Sequence, residues 1–254
     1  MVILKSPEEM DAIRPAGKLA AEILTRLGEV IQPGVTLKEL DQLAASYIKD
    51  AGAEPTYLNY SQLPNQPPFP GVITASLNDE VCHGFPDRRV LKEGDIVCID
   101  IGLRLDGWCG DTCRTWGVGK ITPEAQTLID VTHQSLQAGI KAVRPGGHLG
   151  DIGAAIQEVV EQHGFSIVRP FGGHGIGRKP HEEPFVPHYG RAGIGMPIRP
   201  GMVFTIEPMI NAGSSGVRIK DDGWTAYTSD GSLSAQFEHM LAVREDQVEI
   251  LTLP

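Results

Sequence analysis

Ile13, Ala16, Leu19, Ala20, Ile23 and Leu24 recur at three- and four-residue spacing, which predicts an amphipathic helix. Ser6-Pro7-Glu8-Glu9 supplies its start: a hydroxyl N-cap, Pro at the first helical position and acids in the first turn. The helix is expected to run to about Gly28, before the Pro33-Gly34 break. Thr36-Leu-Lys-Glu39 fits a capping box and opens a second helix to about Ala51. Thr122-Pro123-Glu124 opens a third, to about Val143, and Pro145-Gly146 ends it. His148-Leu-Gly-Asp151 begins a fourth that ends near Gly164.

Between these helical stretches the apolar positions are consecutive. Ile96-Val-Cys-Ile99 follows the turn-like Lys92-Glu-Gly94-Asp95 and reads as a short buried strand ending at Asp100. A second segment, residues 103–105, leads through Asp106-Gly107, a strong hairpin signal, into Trp108 and Asp111. A closed hairpin puts Asp100 and Asp111 on paired strands, where two buried carboxylates are costly unless a cation compensates them. A strand-end Asp and a turn Asp would fit the same letters, so the other acids decide.

The order of these elements repeats. Pro33-Gly-Val-Thr-Leu-Lys-Glu-Leu matches Pro145-Gly-Gly-His-Leu-Gly-Asp-Ile, 112 residues on, and the run to Asp100 has its echo in Met202-Val-Phe-Thr-Ile-Glu207, 107 residues on. Gly94 and Gly201 each stand six residues before the acid. This series predicts an internal duplication with pseudo-twofold symmetry around a shared centre. A single catalytic domain, residues 1–254, is expected from two related halves of about 1–118 and 119–254. Residues 59–71 hold four prolines and read as an exposed, semi-rigid loop; residues 180–200 read as another.

Charge narrows the function classes. The net charge of −10 argues against a nucleic-acid partner, which needs a basic face, and suits a site that gathers cations. No apolar run approaches the ~20 residues that span a bilayer. The N-terminus turns acidic at Glu8-Glu9, too soon for a targeting peptide, so a cytoplasmic location is expected. Cys82, Cys98, Cys109 and Cys113 form no C-x-x-C pair and read as reduced thiols rather than a zinc site.

The remaining chemistry sits in short motifs: Val81-Cys-His83-Gly84, Phe171-Gly-Gly-His174-Gly-Ile-Gly177, Pro180-His181-Glu-Glu-Pro184, Phe204-Thr-Ile-Glu207-Pro208 and Ala235-Gln-Phe-Glu238-His239. The glycines around His174 imitate a dinucleotide loop, but Arg178-Lys-Pro-His follows where its helix should begin. Glu207 ends a run that belongs in the core, where a charge needs a partner. Four carboxylates and one imidazole make an oxygen-rich site that can share two divalent ions. Two such ions polarise a carbonyl and activate water, while His83 and His181 are left to donate hydrogen bonds or move protons.

Taken together and in order, these motifs resemble the type I methionine aminopeptidases from residue 6 to about 245. The resemblance implies an α/β (α+β) pita-bread fold: a pseudo-twofold, two-half sheet with helices on its outer face. It implies two divalent ions (Co, Mn, Fe or Zn) held by Asp100, Asp111, His174, Glu207 and Glu238. Asp111 and Glu238 would bridge both ions, Asp100 would hold one, and His174 and Glu207 the other. His83 and His181 would contact substrate, and Glu207 would shuttle a proton. The implied reaction is hydrolytic removal of the initiator Met from nascent chains with a small second residue. A monomer acting at the ribosome, in the short bacterial form that starts at the catalytic unit, completes the expectation. Tyr60, Phe69 and Trp224 keep aromatic character at pocket positions. Thr74 stands where the family usually carries Cys, Pro180 where an aromatic residue commonly precedes the second His, and residues 61–68 lengthen a loop. The alternatives are an Xaa-Pro-directed peptidase of the same fold and a metal-free binding relative.

Overall fold

Each predicted helix begins where its cap stands in the computed structural model, which describes every residue except 62, 63 and 65. In α1 (Pro7–Gly28) the Ser6 hydroxyl accepts the Glu9 N–H at 3.2 Å, and the Glu9 carboxylate accepts the Ser6 N–H at 2.9 Å. Thr36 and Glu39 make the same exchange at the start of α2 (Leu37–Asp50). The Thr122 hydroxyl caps α3 (Pro123–Ala142), and the Asp151 carboxylate accepts the His148 N–H at the start of α4 (Leu149–Gln162). Such exchanges satisfy amide donors that a helix start otherwise leaves unpaired.

The hairpin closes as predicted. Asp106 and Gly107 take positive φ of 51° and 78°, the left-handed pair that a two-residue turn requires. One strand is longer than expected. Ile96–Leu105 runs straight through Asp100, which pairs with Thr74 of Ile73–Leu77 on one side and Cys113 of Trp108–Gly117 on the other. Pairing on both edges satisfies the backbone across the acid, so nothing there ends the strand. Glu54–Pro55 pairs farther along, opposite Leu103 and Arg104.

A second antiparallel sheet has the order Val248–Ile250, His239–Val243, Val203–Ile206, Gly173–Gly175, Glu182–Val186. Its last strand corrects the expectation of an irregular loop over residues 180–200. Phe185 pairs opposite His174, so ladder pairing overrides the turn-rich composition there. Two three-stranded sheets join the layers. Met209–Asn211 pairs with Ser234–Gln236 and Ser166–Ile167, and Ala226–Thr228 pairs with Val217–Ile219 and Glu80–Cys82.

One apolar core lies between α1, α2 and the first sheet, and a second between α3, α4 and the five-stranded sheet. Contacts in one recur in the other. Gly34 donates its N–H to Leu91 at 2.8 Å and Gly146 to Ile198 at 2.9 Å. Gly94 donates to Val118 at 3.0 Å and Gly201 to Val243 at 2.8 Å, with φ of 95° and 89°. Isolated antiparallel bridges join Thr36 to Val90 and His148 to Pro197.

The proline-rich stretch 59–71 is not wholly exposed. Phe69 is 2% accessible and packs with Tyr57 and Trp224, and the Trp224 indole N–H donates to the Pro67 carbonyl at 2.7 Å. Burying two large rings outweighs the polar character of the segment. Of the lengthened loop, residues 62, 63 and 65 lie outside the described residues. All four cysteines are free and buried. Among the described residues no helix is long and apolar enough to cross a membrane.

Candidate metal centre

Register decides how the two hairpin acids meet. Asp100 stands opposite Cys113 and Asp111 opposite Gly102, so the carboxylates are diagonal neighbours on one face rather than a direct pair. The Tyr57 hydroxyl lies between them, 2.9 Å from Asp100 Oδ1 and 2.7 Å from Asp111 Oδ1. A hydroxyl carries one proton and can make a full, linear hydrogen bond to only one of them. The two contacts are met by a proton on one carboxyl or by a single shared donation. Burial first, then the neighbouring acids, hold the Tyr57 phenol well above its usual range, so it stays a donor.

Glu207 follows the buried strand Val203–Ile206. Its Oε1 accepts the Thr205 hydroxyl at 2.8 Å and its Oε2 the Gln236 amide at 3.1 Å. Its own N–H donates to His188 Nε2 at 3.1 Å. The Thr205 hydroxyl in turn accepts the His174 N–H at 3.0 Å. Glu238 is tied to the first sheet: its N–H donates to the Cys113 carbonyl at 3.0 Å, and its carbonyl accepts the Thr112 hydroxyl at 2.8 Å. Contacts from several strands thus set where these acids point.

His174 Nδ1 is 3.0 Å from the Gly175 carbonyl, which can only accept, so the proton sits on Nδ1. Nε2 then presents its lone pair 3.4 Å from Glu207 Oε1 and 3.9 Å from Asp111 Oδ2. Ligand atoms of Asp111, His174 and Glu238 all lie within 4.8 Å of one another, and Asp100 and Glu207 line the same cavity of about 290 Å³. His83, His181, Tyr60, Phe69, Trp224 and Thr74 line it as well. Pro180 does not; it borders an adjoining cavity.

The two remaining histidines are held by rings. His83 has φ +57°, a left-handed conformation that its surroundings must enforce, and meets Phe171 and Trp224 edge-on at 5.6 and 6.0 Å. His181 stacks on Tyr60 at 5.6 Å with the Tyr60 hydroxyl 3.2 Å from Nδ1, and tilts against His174 at 4.4 Å.

Burial governs the charge states. It pushes Asp100 up to about 7 and Glu207 to about 8, and holds Asp111 and Glu238 well above the carboxylate range, where mutual repulsion adds to it. The same burial lowers His174 to about 3, His83 to about 4, and His181 below its ordinary value. Carboxylates that resist ionisation together beside neutral imidazole form a donor set that divalent cations fit, because the cations supply the missing positive charge.

All ten predicted site positions that bear chemistry or line the pocket therefore meet at one cavity. Four participants were missed by the sequence reading: Tyr57, Thr205, His188 and Gln236. Two of them could have been found by strand periodicity, since Thr205 and Gln236 each stand two residues before a site acid.

A profile of metallopeptidase family M24 matches residues 11–245. Methionine aminopeptidase A of Synechocystis is 51% identical over 99% of this chain and 98% of its own length. The crystal structure of methionine aminopeptidase from Rickettsia prowazekii superposes with a TM-score of 0.96 at 46% identity, covering 100% of both chains, and shares the pita-bread fold. Prolidase from Pyrococcus furiosus shares the fold at 20% identity, with a TM-score of 0.77 over 99% of this chain and 66% of its own. With its acids and imidazole gathered in one cavity and close relatives matched from end to end, the chain belongs to metallopeptidase family M24, among the methionine aminopeptidases.

Proposed function

We propose that the chain hydrolyses the bond after an N-terminal methionine in polypeptides whose second residue is small, using two divalent ions. Asp100, Asp111, His174, Glu207 and Glu238 would hold the ions, Asp111 and Glu238 serving both, Asp100 one, and His174 and Glu207 the other. When bound, the ions polarise a carbonyl and make water a stronger acid. The observation that carries this reading is the convergence of all five donors on one cavity beside an aromatic pocket.

The residues divide the remaining work. Glu207, its oxygens aimed by Thr205 and Gln236, takes a proton from water and gives it to the departing amine. His83 and His181, kept neutral by burial, donate hydrogen bonds to oxygens of the substrate backbone. Tyr60 orients the His181 ring through its Nδ1 contact. Phe69 and Trp224 surround the methionine side chain, whose thioether packs well against ring edges. Thr74, buried at 4% exposure, places a hydroxyl in that pocket.

Residues 1–254 act as one catalytic unit of two related halves, about 1–118 and 119–254, with the site at their junction; the Gly34–Leu91 and Gly94–Val118 hydrogen bonds, which recur as Gly146–Ile198 and Gly201–Val243, support this. The chain works as a cytoplasmic monomer on nascent polypeptides at the ribosome. The ion pair is drawn from Co, Mn, Fe or Zn.

Metal-stripped protein given Mn²⁺, Co²⁺ or Fe²⁺ is expected to cleave Met-Ala-Ser. Absence of cleavage under every metal, or preference for Xaa-Pro dipeptides, overturns the reading.

A further inference from the structure

The methionine pocket is walled by Tyr57, Phe69 and Trp224, whose rings pack together in the interior. Its rim toward Tyr60 and His181 opens onto a second cavity of about 440 Å³, and these two residues line both. Tyr60 and His181 together line these two cavities, so a polypeptide whose first side chain fills the aromatic pocket and which leaves by the Tyr60–His181 rim continues into the second one. An extended chain advances ~3.3–3.6 Å per residue, so the residues next along lie in this second cavity.

The second cavity differs in character from the first. Arg104 and Lys179 line it, and no acidic residue does. Among the described residues Arg104 forms one ion pair, at 3.9 Å to Glu54, whose side chain is 76% exposed. An exposed contact at that distance is weak. Lys179 is exposed and forms no ion pair among the described residues. The chain as a whole carries a net charge of −10, so two cations whose carboxylate neighbours lie outside the cleft, Glu54 beside Arg104 and Glu182 on the Lys179 N–H at 3.2 Å, stand out from their surroundings.

We propose that this cleft is a subsite for the substrate residues beyond the second, and that Arg104 and Lys179 make it favour acidic side chains there. The inference rests on the aminopeptidase reading above. It assigns the two cations to substrate choice, through Coulomb attraction that salt screens, and gives them no part in bond cleavage.

The test compares two C-terminally amidated peptides, Met-Ala-Ser-Glu-Glu-Gly and Met-Ala-Ser-Lys-Lys-Gly, on metal-reconstituted enzyme at low ionic strength. The expected kcat/KM ratio favours the acidic peptide by about threefold to tenfold, the range of two partly exposed ion pairs. The ratio should fall toward unity at about 0.5 M salt, where the screening length is only a few ångströms. Arg104→Glu with Lys179→Glu should invert it, and Lys179→Glu alone should shift it the same way. A wild-type ratio below about threefold, or one that the charge reversals leave unmoved, overturns the inference while the aminopeptidase reading stands. Cleavage of Met-Ala-Ser with neither hexapeptide cleaved overturns the inference alone, and failure to cleave all three peptides overturns both.

Discussion

At the scale of single residues the centre depends on atoms that share a ligand or a proton. Asp111→Asn or Glu238→Gln keeps size but removes a charge proposed to serve both ions. Either change is expected to lower kcat by about a hundredfold or more and to reduce bound metal, read by turnover of Met-Ala-Ser and by metal analysis. Near-normal turnover would show that neither acid is shared. His83→Ala should behave differently. Its ring is placed to donate to substrate, so turnover should drop by roughly 10²–10⁴ with metal content unchanged. Loss of metal in that variant would reassign His83 to the ligand set. Tyr57→Phe removes a hydroxyl that touches both hairpin acids. Outer contacts of this kind orient ligands, and their loss is expected to weaken metal binding by about 10–100-fold in a calorimetric titration. The importance of Tyr57 was not legible in the sequence. It is 54 positions from Asp111, and no local pattern connects them.

At the scale of elements the centre is held by a helix pressed against a hairpin. A Cβ on Gly110 would run into the backbone of Ala16 and Gly17 in α1, so helix and strand approach as closely as glycine allows. Gly110→Ala must push α1 off the strand that carries Asp111. A cost of roughly 1–3 kcal/mol is expected, read as a lower urea midpoint, with weaker metal retention. An unchanged midpoint would mean the helix yields freely. Most elements were legible because their signals are local: Ser6, Thr36 and Thr122 mark helix starts, and Asp106-Gly107 marks a turn. The misread elements are those decided by distant partners. Asp100 lies inside a strand because Thr74 and Cys113 pair with it, and Glu182–Val186 is a strand because Gly173–Gly175 pairs with it.

At the scale of the whole molecule, acids carried by both sheets confront one another in one cavity, and metal binding becomes linked to stability. Asp100 and Glu207 are raised to about 7 and 8 by burial, above their ordinary values. An acid raised in this way adds stability while it is protonated in both states. That contribution fades as pH climbs from its ordinary value through its folded value. Metal-free protein should therefore lose this contribution between about pH 4 and pH 8. The buried neutral histidines act at the other end: His83, lowered to about 4, withdraws stability as pH falls below its ordinary value. Divalent ions compete with protons for the carboxylates, so the rise in Tm on adding Mn²⁺ to stripped protein should be larger at about pH 8 than at about pH 6. Equal gains at both would mean the carboxylates are already ionised without metal.

The sequence by itself determined the helix starts, the hairpin turn, the doubled order of elements and the inventory of donor residues. These depend on capping chemistry, on φ preference and on periodicity, all of which act over a few neighbouring positions. Only the tertiary structure decided the diagonal register of Asp100 and Asp111, the Tyr57 hydroxyl between them, the burial of Phe69 in a proline-rich stretch and the cationic cleft beyond His181. Each depends on contact between segments far apart in the chain, where burial and ladder pairing override what the local residues prefer.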